Sequence, residues 1–172
     1  KTSGYNEADL PDQPVNAYGE SKLAGEQAIQ QATDRYTIVR TAWLYGSGGQ
    51  NFVDTMLRLG REKTKLNVVN DQHGSPTYTV DLAVATRTLL EQQSPTGIYH
   101  LTNSGYCTWY DFAIEIFRLA KLPVLVQPCP STEFPRPAKR PTYSKLINTK
   151  LTALRPWQQA LAAYLDSSKG QR

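Results

Sequence analysis

Residues 36–45 read Tyr-Thr-Ile-Val-Arg-Thr-Ala-Trp-Leu-Tyr, and a glycine-rich segment, Gly-Ser-Gly-Gly-Gln, follows them at 46–50. The β-branched and aromatic residues predict a strand over 36–45. Their near-continuous apolar character is typical of a strand covered on both faces. After the glycines, apolar residues recur at helical spacing, which predicts a helix: Phe52, Val53, Met56, Leu57 and Leu59.

The glycine-rich segment raises the question of a cofactor site, because a strand, a glycine loop and a helix together can bind dinucleotide phosphates. A G-x-G-x-x-G pattern starting at Gly46 would need a glycine at position 51, where the sequence has Asn51. We therefore interpret residues 46–50 as a tight connection at the mouth of a site.

Helices and strands are predicted to alternate along the rest of the chain. Four further helices are predicted. The first runs from Ala17 to about Thr33 with Asn16 as its N-cap, and the second follows a cap at Thr79. The third starts at the capping box Thr108–Asp111, and the fourth has Pro156 as its first helical residue. Short strands are predicted at 66–69, 98–101 and 124–126, and loops at 1–16, 70–77 and the proline-rich stretch 128–141. The alternation indicates an α/β chain with a mainly parallel sheet.

Composition sets bounds on the class of protein. The 172 residues suffice for a sizeable core, and 40% hydrophobic with 20% charged residues is ordinary for a globular protein. No apolar run approaches the roughly 20 residues of a membrane span. The two cysteines, Cys107 and Cys129, and the two histidines show no metal-binding spacing, so we expect neither a disulfide framework nor a zinc site. A reducing cytoplasm is the expected location.

Positive charge is concentrated in the last third of the chain. Residues 1–117 carry 9 basic and 13 acidic side chains, whereas residues 118–172 carry 10 basic and 2 acidic ones. Such an excess forms either a solvated basic face or a site for an anion, which could be nucleic acid or a phosphorylated small molecule. Because no nucleic-acid-binding module is present, we favour the phosphorylated small molecule.

Tyr18 and Lys22 are four residues apart in the predicted helix and therefore lie on the same face, in line with Gly25 and Ile29. One interpretation is structural, a lysine that extends past a half-buried tyrosine. The other is catalytic, because an ammonium group one turn away favours the phenolate and would lower the pKa of a proton-donating tyrosine.

Five segments occur in an order that resembles one family: Y-G-E-S-K-L-A-G-E at 18–26, R-T-A-W-L-Y-G at 40–46, V-V-N-D-Q-H-G-S-P-T at 68–77, Y-H-L-T-N at 99–103 and R-P-A-K-R-P at 136–141. Together they resemble the dTDP-4-dehydrorhamnose reductases, which are extended short-chain dehydrogenase/reductases. The resemblance covers essentially the whole chain, and the 40–46 and 68–77 segments are its most specific parts.

The resemblance implies that NADPH or NADH reduces the 4-keto group of dTDP-4-dehydro-L-rhamnose. Tyr18 would be the catalytic acid, and Lys22 would lower the pKa of Tyr18 and hold the nicotinamide ribose, so both residues would also contact the cofactor. Trp43 would contact the substrate. The basic excess suggests Arg136, Lys139 and Arg140 as ligands of the dTDP diphosphate, because arginine suits phosphate.

The same resemblance implies an α/β fold that combines the C-terminal part of a Rossmann-type parallel sheet with a small substrate-binding domain. Residues 1–46 and 78–103 would belong to the dinucleotide-binding domain, residues 47–77 and 104–168 to the substrate domain, and residues 169–172 to a tail. The family's glycine-rich cofactor loop and catalytic Ser/Thr have no counterpart here, so we expect a C-terminal fragment that binds cofactor poorly and is inactive alone. Partners other than the dTDP-sugar, whether nucleic acid or membrane, are not expected, and a homodimer is left open.

The loop residues Asp71 and Gln72 are interpreted as structural support near the substrate, and Asp81 as a structural residue at a helix start. Three alternatives to the reductase interpretation stay open at this point. One is a non-catalytic relative such as the regulatory subunit of methionine adenosyltransferase, which shares the Y-x-x-x-K region. The others are a nucleotide-sugar epimerase and a free-standing anion-binding module.

Overall fold

The computed structural model describes residues 1–9 and 13–169, in which helices alternate with short strands. The helices are α1 (Ala17–Ala32), α2 (Phe52–Glu62), α3 (Thr79–Glu91), α4 (Trp109–Ala120) and α5 (Trp157–Lys169), with a short 3₁₀ helix at Ser131–Glu133. The strands are β1 (Thr37–Arg40), β2 (Leu44–Tyr45), β3 (Lys65–Val69), β4 (His73–Gly74), β5 (Thr77–Tyr78), β6 (Gly97–His100), β7 (Cys107–Thr108) and β8 (Leu125–Cys129). Residues 10–12 of the predicted first loop and residues 170–172 of the predicted tail lie outside the described residues.

The strands pair two by two. β1 pairs with β6, β2 with β5 and β3 with β8, all in parallel, whereas β4 and β7 are antiparallel. The prediction of an α/β chain with mainly parallel pairing is confirmed. Among the described strands, however, the pairs are separate and do not join into one continuous sheet.

The predicted strand over residues 36–45 is wrong in its middle, where the chain turns. β1 ends at Arg40 and β2 begins at Leu44, because Trp43 has a φ of 46° in the left-handed region, which an extended strand cannot contain. The carbonyl of Trp43 accepts a hydrogen bond of 3.1 Å from Thr77 N. The chain thus leaves its pairing with β6 and joins β5.

Three other predicted boundaries need correction. Tyr78, not Thr79, is the N-cap of α3, and it makes no side-chain cap bond. Pro156 lies just before α5, where its carbonyl accepts hydrogen bonds from Gln159 N and Ala160 N. The predicted 70–77 loop contains β4 and the start of β5, and β7 was not predicted, because these two-residue strands exist only through their partners. The N-cap Asn16 and the capping box at Thr108 are confirmed.

Two clusters of buried apolar side chains make up the described core. The larger cluster lies between α2, α4 and α5 and includes the fully buried Val53, Phe112 and Ile116. The smaller cluster joins α3 and β6 through Leu89, Tyr99 and Leu101. No described helix is both long and apolar enough to cross a membrane.

A buried carboxylate ties the first residues of the chain to its last third. Glu7 accepts hydrogen bonds from His100 N at 3.2 Å and from Thr149 Oγ1 at 2.7 Å, and it also accepts one from Thr149 N. Burial alone would raise the pKa of Glu7, but these hydrogen bonds outweigh it and lower the pKa below the usual 4.5. Glu7 therefore holds the first loop, β6 and residue 149 together as a carboxylate.

Candidate functional site

A pocket of about 700 Å³ opens between the first turns of α2 and α4 and the proline-rich segment. Trp43, Phe52, Trp109 and Phe112 supply aromatic surface to its lining. Such a combination of apolar walls and a few polar groups is typical of small-molecule sites.

Trp43 is held firmly in the pocket wall. Its ring stacks on Trp109 with centroids 3.5 Å apart and planes 7° from parallel. Gly74 lies so close to the indole that an added Cβ would overlap it. The left-handed backbone at Trp43 costs on the order of 1–3 kcal/mol.

Trp109 is a pocket residue that sequence reasoning did not identify. One face of the Trp43 indole is covered by it, and Phe52 packs against Trp109 with centroids 4.6 Å apart. Trp109 directly follows the capping residue Thr108, and its spacing from Phe112 and Ile116 is that of an ordinary core residue, so no local signal marks it as part of a pocket. A ligand therefore meets a wall of several rings rather than a single indole.

Arg136, Lys139 and Arg140 line the same pocket. We call residues 131–142, which carry these side chains, the basic loop. Within residues 1–9 and 13–169, none of the three side chains forms an ion pair. Burial and the neighbouring charge of Arg136 lower the pKa of Arg140 from its usual value. The loop thus brings uncompensated positive charge to the pocket, which suits an anionic ligand.

The basic loop is fastened by the segment that carries Asp71, Gln72 and His73. Asp71 Oδ2 accepts hydrogen bonds of 2.9 Å from Ser131 N and from Ser131 Oγ, and His73 N donates to the Thr142 carbonyl at 2.7 Å. Gln72, between them, lines the pocket. Asp71 therefore has the supporting role that was expected of it.

Tyr18 and Lys22 lie together on α1 but not in the pocket lining. The Lys22 Nζ is 5.4 Å from the centroid of the Tyr18 ring, and Tyr18 is 70% exposed. None of the residues of α1 is buried. The Tyr18 ring is thus not the half-buried tyrosine of the structural interpretation, and its hydroxyl is open to a ligand.

Within the described part of the chain, three polar contacts hold α1 and its N-cap next to the rest of the molecule, and one of them is the hydrogen bond of 3.3 Å that Gln30 Nε2 donates to the Tyr36 hydroxyl. Glu26 forms a bidentate ion pair with Arg40 of β1, with N–O distances of 2.8 and 2.6 Å. Asn16 Nδ2 donates to the carbonyl of Lys139 at 2.7 Å. The contact of Asn16 links the helix that carries Tyr18 to the basic loop.

Two other motif residues have structural positions. Asp81 forms a bidentate ion pair with Arg155 and accepts a hydrogen bond from Asn103 Nδ2. These contacts confirm the interpretation of Asp81 as a structural residue. Gly46 faces Thr79 so closely that no side chain would fit, and Asn51 caps α2 by accepting from Asp54 N. The glycine-rich segment therefore connects elements beside the pocket, where Gln50 and Asn51 line it. No group of three or more His, Cys, Asp or Glu side chains in the described ranges could hold a metal ion.

The family model described as the RmlD substrate binding domain matches residues 1–169. The chain belongs to the RmlD substrate binding domain family. One relative of this chain is the spore coat polysaccharide biosynthesis protein SpsK of Bacillus subtilis, which is 45% identical to it over 169 residues. The match covers 96% of this chain and 59% of SpsK.

Two solved structures show the same RmlD-type fold. The crystal structure of a dTDP-4-dehydrorhamnose reductase from Clostridium acetobutylicum matches with 46% sequence identity and a TM-score of 0.91. The match covers 96% of this chain and 60% of the reductase chain. The Bacillus anthracis dTDP-4-dehydrorhamnose reductase in complex with NADP has 40% identity and a TM-score of 0.90, covering 98% of this chain and 60% of its own.

These matches confirm the resemblance to the dTDP-4-dehydrorhamnose reductases and the Rossmann-type α/β fold class. This chain spans about three fifths of the length of the relatives that it matches.

Proposed function

We propose that this chain is the substrate-binding part of an NAD(P)H-dependent reductase that converts dTDP-4-dehydro-L-rhamnose to dTDP-L-rhamnose. The observation that carries the proposal is the meeting of Trp43 with Arg136, Lys139 and Arg140 in one pocket. Aromatic surface beside uncompensated positive charge suits a ligand with a base, a diphosphate and a sugar. The names of the similar reductases support this substrate class.

The basic loop would bind the diphosphate. A guanidinium group can donate two parallel hydrogen bonds to phosphate oxygens, and an anion would relieve the repulsion between Arg136 and Arg140. The stacked Trp43 and Trp109 would offer a flat apolar surface to the base or the sugar.

Tyr18 would donate its hydroxyl proton to the C4 carbonyl oxygen of the sugar while a hydride reaches C4. NAD(P)H, when bound, supplies that hydride and leaves as NAD(P)+. Lys22 has an exposed ammonium group that could donate to the cofactor's ribose hydroxyls, so this part of the chain fits a cofactor. The glycine-rich segment does not fit the pyrophosphate, because Asn51 interrupts the pattern and its own side chain caps α2.

The division into a dinucleotide-binding part and a substrate part stays a prediction, because the larger core cluster includes Tyr45 and Tyr78 from the first part and the smaller one packs against Leu151 from the second. Because the family's glycine-rich cofactor loop and catalytic Ser/Thr have no counterpart in this sequence, this chain alone would bind cofactor poorly and turn over little or no substrate. The cytoplasmic location and a homodimer stay predictions.

The test is NADPH oxidation by a polypeptide that joins this chain to a dinucleotide-binding half. With dTDP-4-dehydrorhamnose, we expect NADPH consumption that matches dTDP-L-rhamnose formation one for one. Absence of oxidation in the presence of bound sugar nucleotide would favour a non-catalytic binding protein. An altered sugar without net NADPH consumption would favour an epimerase.

A further inference from the structure

The basic loop begins with the short 3₁₀ helix Ser131–Glu133 and is irregular after it, and its two ends are fixed at nearly the same place. Asp71 binds Ser131 at one end of the loop, and His73 binds Thr142 at the other end. The two residues that flank Gln72 therefore hold both ends. Residues 135–141 between them receive one hydrogen bond from outside the loop within the described part of the chain, the one from Asn16 to the Lys139 carbonyl. The position of the loop's charged part therefore depends on Asn16.

Asn16 uses both atoms of its side-chain amide. Its Oδ1 accepts from Gly19 N at 2.8 Å and thereby caps α1, while its Nδ2 donates to the Lys139 carbonyl at 2.7 Å. Gly19 directly follows Tyr18. A single side chain thus joins the first turn of α1, which carries Tyr18, to the loop that carries the pocket cations.

Helix α1 has few other means of being positioned. It buries no residue completely, and its other polar contacts, the ion pair of Glu26 and the hydrogen bond of Gln30 to Tyr36, lie more than two turns beyond Tyr18. Within the described residues, Asn16 is therefore the polar contact nearest to Tyr18 that joins α1 to another part of the chain.

An anion in the pocket would fix the loop. Arg136 and Arg140 are close enough for their charges to repel, and none of the loop cations has an acidic partner among the described residues. Binding of a diphosphate would draw the guanidinium groups toward one position and would fix the Lys139 carbonyl between them.

We propose that Asn16 is a positioning residue that couples diphosphate binding by the basic loop to the placement of Tyr18. The proposal rests on the proposed function, since it assigns a role in positioning the proton donor of that reaction.

Variants can separate the two roles of Asn16. Asn16→Asp keeps an oxygen that caps the helix about as well as asparagine, but it cannot donate to the Lys139 carbonyl. Asn16→Ser also keeps a capping oxygen and adds no charge next to the loop. Asn148→Asp is the matched control, because Asn148 likewise accepts from backbone N–H groups and donates Nδ2 to a carbonyl, that of Leu151.

The first measurement is hydrogen exchange of this chain with and without dTDP or inorganic diphosphate. We expect each anion to slow exchange of the α1 amides at residues 19–23 by about threefold or more in the wild type and in Asn148→Asp. In Asn16→Asp and Asn16→Ser, we expect the anion to leave exchange in α1 unchanged. Because coupling is reciprocal, the anion should bind about threefold more weakly to Asn16→Ser than to the wild type, and more weakly still to Asn16→Asp, whose carboxylate lies next to the basic loop.

The second measurement is turnover by the chain joined to a dinucleotide-binding half. We expect the Asn16 variants to lose about tenfold in kcat with a smaller change in KM, since misplacement of the proton donor affects the chemical step. If the joined protein reduces the sugar but the anion protects α1 equally in Asn16→Asp and in the wild type, the coupling is overturned and the proposed function stands. If protection of α1 depends on Asn16 but the joined protein does not reduce the sugar, the coupling stands and the proposed function is overturned. Absence of anion binding would overturn both.

Discussion

Around the pocket, α2, α4 and α5 bury side chains such as Val53, Phe112 and Leu161 completely, whereas none of the 16 residues of α1 is buried. The pocket wall is therefore fixed by close packing, which tolerates little displacement. Among the described residues, the helix with Tyr18 and Lys22 is held mainly by the polar contacts of Asn16, Glu26 and Gln30.

Within this part of the proposed enzyme, the residues that would bind the ligand and the residues that would carry the chemistry lie on separately held elements. Ligand affinity should depend on the packed region and the basic loop, and the proton transfer should depend on α1. Apart from the coupling through Asn16, substitutions in α1 should leave the affinity for the ligand nearly unchanged. Substitutions in the packed region or the basic loop should likewise leave the rate of proton transfer nearly unchanged.

The largest effect is expected for Tyr18→Phe in the chain joined to a dinucleotide-binding half. Removal of the proton donor should lower kcat by about 10²–10⁴, the usual contribution of general acid catalysis. The affinity for dTDP, measured by calorimetry, should stay within about twofold. Tyr106→Phe is the control, because Tyr106 is also an exposed tyrosine with a lysine ammonium over its ring, that of Lys145 at 3.9 Å. An unchanged kcat in Tyr18→Phe would contradict the assignment.

Arg140→Gln should weaken dTDP binding by about 10–100-fold, because a charge-assisted hydrogen bond to phosphate contributes about 1.5–3 kcal/mol. Turnover at saturating substrate should change much less. Arg118→Gln removes a charge of the same kind from the exposed pair with Glu115 on α4 and should leave the affinity for dTDP unchanged. Equal affinity of Arg140→Gln and wild type would exclude the basic loop as the diphosphate site.

Gly74→Ala tests how rigidly the aromatic wall is built. The added Cβ would overlap the Trp43 indole, and such overpacking costs about 1–3 kcal/mol of the free energy of unfolding. The displaced indole should also lose its stacking on Trp109, which near-ultraviolet circular dichroism would detect. Gly49→Ala is the control, since no heavy atom lies within 4 Å of its added Cβ. A Gly74→Ala variant with wild-type stability and spectrum would show that the wall adapts.

The smallest effect is expected away from both regions, at Glu7. Glu7→Gln should cost about 0.5–1.5 kcal/mol of the free energy of unfolding at neutral pH, because the amide keeps only one of the two oxygens that accept the buried hydrogen bonds. The pKa of Glu7 is lowered in the folded state, so its contribution is full above the usual value of 4.5 and disappears as the pH falls through the folded-state pKa. Urea unfolding should therefore show a difference between variant and wild type that vanishes on acidification. A difference that persists in acid would assign the effect to packing.

Local signals were sufficient to predict several features of both regions. Asn16 and Thr108 are caps because their side chains bond to backbone groups three residues away, an interaction contained in the sequence itself. The grouping of Trp43 with Arg136, Lys139 and Arg140 also follows from a motif and a charge excess, and the pocket unites them.

Long-range contacts account for what sequence reasoning missed. The break in the 36–45 strand depends on Thr77 as a new partner of the Trp43 carbonyl. Trp109 joins the pocket wall only because α4 packs beside α2, and the periodicity of α4 predicts the same residue as ordinary core. The second hydrogen bond of Asn16 reaches a residue 123 positions away, which no local pattern indicates.

Titration calorimetry of this chain with dTDP and with thymidine tests the central claim most directly, that the pocket binds a nucleotide through its basic loop independently of Tyr18 and Lys22. We predict saturable 1:1 binding of dTDP at least about tenfold tighter than that of thymidine, unchanged in a Tyr18→Phe, Lys22→Met double variant. Equal affinity for thymidine and dTDP, or loss of dTDP binding in the double variant, would contradict the account.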